Sequence, residues 1–279
     1  MPDGSSNRSP LEQSFSSLLD RAHSVATNNR STIQLADVEF GYHPGELILS
    51  ELNLSVRSGE FLTLLGPSGC GKSTILNLIA GFIKPTSGTV EHNGQPVEGA
   101  SASRGVVFQG NALFDWMTVE QNVAFGFRFK KIAAAEKRER AQSIIQMVGL
   151  AGSESKYPYQ LSGGMRQRVA VARSMVIQPE ILLMDEPFAA VDVQTREGLQ
   201  EELLKLQERV GVTVLFVTHS IEEAVFMSDR VVVMGDRLGR IEREIDIHLP
   251  LPRHSKLNRV SDEFSLYRKQ IYLTMTGNQ

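Results

Sequence analysis

One cysteine, Cys70, stands among 279 residues, which excludes an internal disulfide framework and fits a reducing compartment. Long apolar runs are missing as well. The longest hold four residues, as in Ile181–Met184 and Val231–Met234, where a membrane-spanning helix needs about twenty. Residues 1–30 lack the apolar stretch of a secretory signal. Neither charge is in excess: 29 basic residues meet 32 acidic ones, a net of -3. A protein that coats nucleic acid is ordinarily strongly basic, so nucleic acid is not an expected partner. What is present is an ordinary globular balance, 41% hydrophobic and 22% charged. The length allows about two domains or one large one, with about three quarters of the unfolded surface buried.

The first thirty residues are rich in Ser and Asn and carry one weak helical stripe, Leu11, Phe15, Leu18 and Leu19. A disordered leader over 1–30 is expected. Apolar alternation or short apolar runs then predict strands at Ile33–Phe40, Leu52–Val56, Phe61–Leu65, Ile181–Met184, Val212–Val217 and Val231–Met234. Helical stretches lie at Ser73–Ala80, Arg196–Val210 and Ile221–Met227, with a helical pattern across Thr118–Lys156 and a loop running into a helix over Leu161–Ile177. Strands alternating with helices predict an α/β fold with a mainly parallel sheet. After Pro250 and Pro252 the chain reads as an irregular segment and a short helix from about Asp262 to Leu273.

Three segments carry chemistry. Gly66-Pro67-Ser68-Gly69-Cys70-Gly71-Lys72-Ser73 fits G-x-x-x-x-G-K-[ST], with a buried strand before it and a helix after it. Its glycines let backbone N–H groups and the helix N-terminus approach a phosphate chain. Lys72 would reach the β- and γ-phosphates and the Ser73 hydroxyl would hold Mg²⁺. Cys70 reads as a small residue filling a tight turn. Further on, Asp185-Glu186 ends an apolar strand, where such folds bind ligands. Asp185 is placed to coordinate Mg²⁺ and Glu186 to polarise an attacking water. In the third, Ser162 reads as an N-cap, and Gly163 and Gly164 expose backbone N–H groups at a second phosphate-binding helix start. One chain with two such half-sites suggests two chains facing each other.

In this order the elements resemble the ATP-binding subunits of ABC transporters. The matching residues are Tyr42, the loop Gly66 to Thr74, Gln109 after Val106-Val107-Phe108, Leu161 to Gln167, Asp185-Glu186, Asp192 and His219 after Val217-Thr218. The successive gaps, starting from Lys72, are 37 residues to Gln109, 53 more to Ser162, 23 more to Asp185 and 34 more to His219. The resemblance implies a P-loop NTPase (RecA-like) core over 31–250, with an antiparallel β edge subdomain, an inserted helical subdomain at about 111–172, and a tail over 251–279. It implies ATP and Mg²⁺ as ligands. Tyr42 would stack on adenine, and Gln109 would contact Mg²⁺ and the attacking water. Ser162, Gly163 and Gly164 would grip the γ-phosphate of ATP held by a second copy of the chain, and Asp192 would lie across that seam. His219 would bond the γ-phosphate and orient Glu186. Val191 stands where relatives usually have leucine, a swap of similar volume and polarity.

Several segments resemble a narrower branch, the importers of taurine, alkyl sulfonates and nitrate: Arg104–Gln109, Trp116–Gly126, Met184–Phe188 and Thr218–Met227. Within it, Asn77–Phe82 and Glu98-Gly99 ahead of Arg104 look most like the taurine subunits. The partners implied are a second copy, two integral membrane permease subunits and, indirectly, a solute-binding protein outside the membrane. The place implied is the cytoplasmic face of the membrane, held peripherally. Residues from about Gln109 to Gly126 would receive a short helix of each permease subunit, with Phe114 and Trp116 in contact. The alternative of another class is a soluble ABC ATPase working on DNA or ribosomes. Such chains usually carry a long coiled-coil insert or tandem ATPase units, whereas this one has a single P-loop and 53 residues between Gln109 and Ser162.

Overall fold

A computed structural model describes residues 31–277 apart from 111, 129–131 and 237. The expected leader over 1–30 lies outside the described residues. Among the described residues, ten strands form two sheets. β1 (Ser31–Phe40), β2 (Leu49–Arg57), β4 (Ser87–His92) and β5 (Gln95–Pro96) make an antiparallel sheet in the order β2-β1-β4-β5. The second sheet runs β10-β9-β3-β8-β7-β6. It comprises β3 (Phe61–Leu65), β6 (Arg104–Val107), β7 (Ile181–Asp185), β8 (Thr213–Thr218), β9 (Arg230–Met234) and β10 (Ile241–Asp246). All its pairings are parallel except that of β10 with β9. The α/β reading of the sequence is the fold observed.

The short apolar runs are strands because both faces of this sheet are covered. Every residue of β3, β8 and β9 is buried. Successive residues feed two different cores. Phe61, Leu65, Leu182, Met184, Val214, Phe216, Val231 and Val233 face one, and Leu62, Leu64, Ile181, Leu183, Leu215, Val217, Val232 and Met234 face the other. The helix Lys72–Ala80 and the antiparallel sheet close the second core. The first core takes the helices Ala134–Met147, Gly163–Met175, Val193–Val210 and Ile221–Met227. It also takes the tail helix Asp262–Thr276, through Phe264 and Ile271.

The continuous helical pattern expected across Thr118–Lys156 is broken. The structure has a capped helix Val119–Ala124, a 3-10 turn Phe125–Phe127, then Ala134–Met147. A Cβ at Gly126 would sit 2.7 Å from Val176 Cγ1, so the chain passes close against the helix Gly163–Met175 there. Gly149, at φ 70, turns the chain after Met147. Among the described residues no helix is long and apolar enough to cross a membrane.

Candidate functional site

Four neighbouring parallel strands deliver the site. In the sheet order β3, β8, β7, β6, their carboxyl ends lead into the loop 66–71, His219, Asp185-Glu186 and, two residues past β6, Gln109. One sheet edge therefore gathers residues from Gly66 to His219, as expected of ligand sites in such sheets.

The loop after β3 is bent by glycine. Gly69 has φ 85 and Gly71 φ 103, a region that side-chain-bearing residues avoid. Gly71 is the residue before the helix Lys72–Ala80, and a Cβ there would lie 2.7 Å from Leu49 Cδ2. The loop thus presses on the start of β2, beside the segment that carries Tyr42. Lys72 is buried, and its Nζ donates to Gly66 O at 2.8 Å and Pro67 O at 2.6 Å, with Cys70 Sγ at 3.7 Å. Cys70 itself packs into the core beneath the loop. Tyr42 is 57% exposed and makes an edge-on contact with Phe40, so it is a presented ring and not a core filler.

Ser73 Oγ donates to Asp185 Oδ1 at 3.1 Å. Burial pushes the Asp185 carboxyl above its ordinary range, partly offset by the Ser73 bond, with Glu186 raising it further and Lys72 lowering it. Next in sequence, Glu186 takes φ 40 while its amide bonds Val217 O at 3.0 Å. A non-glycine residue in that region is strained, and such strain concentrates at working sites. Glu186 Oε2 lies 3.3 Å from His219 Nδ1, with the histidine side chain 63% exposed. Gln109 is exposed next to Phe108, whose ring stacks on Phe82 at 5.9 Å.

A second group assembles apart from the first. Ser162 Oγ accepts from Met165 N at 3.2 Å and caps the helix Gly163–Met175. A Cβ on Gly164 would meet Thr195 Cγ2 at 2.5 Å, and one on Gly163 would lie 3.7 Å from Ala190 O. Asp192 caps the helix Val193–Val210, accepting from Thr195 N at 3.0 Å, and that bond holds its carboxyl below the usual range. Ser162, Gly163, Gly164 and Asp192 are therefore neighbours. Among the described residues, no hydrogen bond or ion pair joins them to Lys72, Ser73, Asp185, Glu186 or His219. Val191 is buried in the core, as expected of a leucine substitute. Trp116 is 72% exposed, 5.4 Å from the Phe114 ring.

The donor set suits a divalent cation shared with phosphates. Ser73 and Asp185 supply two hard oxygens, and a cation would relieve the burial penalty on Asp185. No cluster of three His, Cys, Asp or Glu able to hold a metal occurs among the described residues, so the remaining ligands would come from substrate and water.

Sequence reasoning missed the polar network behind His219. Glu223 and Gln200 are buried and bonded to each other at 3.2 Å. Their only sequence signal is a polar residue on the apolar stripe of a helix.

The chain matches the ABC transporter family over residues 49–189. It is 55% identical over 223 residues to an uncharacterized ABC transporter ATP-binding protein of Methanocaldococcus jannaschii, covering 80% of this chain and 82% of that one. A nitrate import ATP-binding protein of Synechocystis is 44% identical, with 83% and 89% covered. A taurine import ATP-binding protein of Pelagibacter ubique is 46% identical, with 71% and 75% covered. A solved ABC ATP-binding cassette, dimeric and bound to ADP and phosphate, superposes with a TM-score of 0.68 at 35% identity, over 77% of this chain and 99% of that one. With the P-loop, the Asp185-Glu186 pair and the second glycine helix start all in place, the chain belongs to the ABC transporter family, as an ATP-hydrolysing subunit grouped with importer ATPases named for taurine and nitrate.

Proposed function

We propose that two copies of this chain close head to tail around two ATP molecules and drive uptake of a small organosulfonate, taurine, through two membrane permease subunits. The observation that carries the reading is the pairing of Ser73 with Asp185 at 3.1 Å beside the pairing of Glu186 with His219 at 3.3 Å, both at the mouth of the glycine loop. Tyr42 offers a flat exposed ring for adenine. The amides of 66–74 and the Lys72 ammonium take the β- and γ-phosphates. Ser73, Asp185 and Gln109 hold Mg²⁺, which when bound neutralises charge on the phosphates. Glu186 accepts a hydrogen bond from the attacking water and His219 holds Glu186 and the γ-phosphate in register. The Ser162–Gly164 helix start and Asp192 face the ATP of the other copy. Their clustering away from the chain's own Lys72 supports that division of labour, and so does the dimeric state of the solved relative.

The permease subunits would dock at the exposed Phe114-Trp116 surface, with a solute-binding protein acting on the far side of the membrane. Identity of 46% and 47% to taurine import proteins supports the solute. The 44% identical nitrate importer subunit favours nitrate as the second reading. Glu186→Gln should leave ATP binding within about twofold of the original chain and slow phosphate release at least about a hundredfold. Near-normal hydrolysis would sink the assignment. For the solute, ATPase activity of the complex in vesicles should rise with a taurine-loaded binding protein and not with a nitrate-loaded one. The reverse would replace taurine by nitrate.

A further inference from the structure

His219 is held between two hydroxyl residues, and both are bonded to Glu223, Thr218 through its buried carboxylate and Ser220 through its backbone amide. Glu223 Oε2 accepts from Thr218 Oγ1 at 2.5 Å. The same hydroxyl oxygen accepts from Ser220 N at 3.1 Å, and Ser220 Oγ accepts from Glu223 N at 3.3 Å. The residues before and after His219 are thus tied to Glu223 and to each other. Only the histidine side chain between them reaches outward, to Glu186.

The other oxygen of Glu223 connects elsewhere. Oε1 accepts from Gln200 Nε2 at 3.2 Å and faces Arg196 Nε at 4.0 Å. Arg196 also donates to Val191 O at 2.8 Å, next to Asp192. Gln200 Oε1 accepts from Arg259 Nη2 at 2.6 Å, and that guanidinium lies 3.5 Å above the Phe226 ring. Arg259 belongs to the tail, in the turn Lys256–Val260. A buried carboxylate is costly, and burial raises the Glu223 pKa accordingly. A helix of seven residues already capped by Ser220 has no need of it. It holds the Thr218 hydroxyl, which in turn accepts from Ser220 N, so the backbone on either side of His219 is tied through one oxygen, and a displacement of about 1 Å at a reacting centre is enough to cost a hundredfold in rate.

We propose that Glu223 is the positioning residue for His219, and that Gln200 and the tail residue Arg259 hold Glu223 in place. The inference rests on the reading of His219 as a group that touches the γ-phosphate. It makes the tail part of the hydrolytic apparatus, through the path Arg259, Gln200, Glu223, Thr218.

The test uses the full-length chain with four variants: His219→Ala, Gln200→Met, Arg259→Met and the double variant His219→Ala/Gln200→Met. Phosphate release at saturating ATP gives kcat, and titration with a fluorescent ATP analogue gives affinity. Gln200→Met keeps the side-chain volume and removes both amide bonds. It should lower kcat about tenfold with nucleotide affinity within about twofold, and Arg259→Met should follow in the same direction. In the His219→Ala background, Gln200→Met should add nothing, because its effect passes through the missing side chain. A normal rate in His219→Ala sinks the reading of His219 and this inference with it. A lowered rate there with a normal rate in Gln200→Met sinks the inference alone, and so does a full additional loss in the double variant.

Discussion

Asp185 pays for its position at the sheet edge in stability. Its carboxyl is raised mainly by burial, so the folded chain holds that proton to higher pH than the unfolded chain does. The sign follows: stability falls as pH rises through the window between the ordinary aspartate range and the raised folded value, and the whole penalty is present above that window. Asp185→Asn keeps an oxygen for the Ser73 hydroxyl and removes the charge. In magnesium-free buffer the variant should melt above the original chain at pH 7, and the difference should shrink as the pH is lowered past the ordinary aspartate range. Magnesium-dependent hydrolysis should be lost at the same time. Calorimetry at both pH values checks this, and a variant that melts lower at pH 7 would refute the burial argument. The same reasoning separates Asp185 from Asp192, whose exposed carboxylate is held low by the Thr195 amide.

Between elements, the close approach of the helix Gly163–Met175 to the helix Val193–Val210 depends on one missing methyl. A Cβ at Gly164 would stand 2.5 Å from Thr195 Cγ2 and 3.5 Å from Leu199 Cδ1. Gly164→Ala should therefore overpack the contact by about 1–3 kcal/mol and lower Tm by about 2–4 °C for each. Thr195→Ser removes the obstructing methyl and keeps the hydroxyl, so the double variant should regain most of the loss in a thermal melt. Failure of that rescue would place the strain elsewhere. The strands at this scale were legible wherever burial on both faces wrote an apolar run, as in Phe61–Leu65 and Val231–Met234. β10 was not, because it is a charged edge strand in which only Ile245 is buried. β6 carries no strand signal of its own, since its Arg104-Gly105 start shows no alternation. The site loops were legible because glycine and charge at fixed spacing are dictated by phosphate chemistry. The left-handed φ of Glu186 was not, since a glutamate carries no residue-type signal for that conformation.

Across the whole molecule, one core takes in the tail that the sequence set apart as an appendage beyond 250. Phe264 and Ile271 are 3% and 0% exposed, in the same apolar cluster as Phe226 and Val231. Polar contacts reinforce the join: Arg268 Nη2 lies 3.0 Å from Glu222 Oε1, Tyr267 Oη accepts from His248 N at 3.1 Å, and Arg253 Nη1 lies 3.3 Å from Asp229 Oδ1. Two apolar positions a helical spacing apart on a mostly polar segment do not announce such docking in sequence; the receiving surface is needed to see it. If the tail were a separate unit, loosening it would leave the ATPase transition unchanged. As part of the core, it should not. Phe264→Ala leaves a cavity costing about 3–5 kcal/mol, which at about 2–4 °C per kcal/mol lowers the Tm of the entire chain by about 10 °C. The unfolding should remain a single transition when followed by calorimetry and by the exposed Trp116, the only tryptophan in the chain. Two resolved transitions, with the larger at the original temperature, would show that the tail folds on its own.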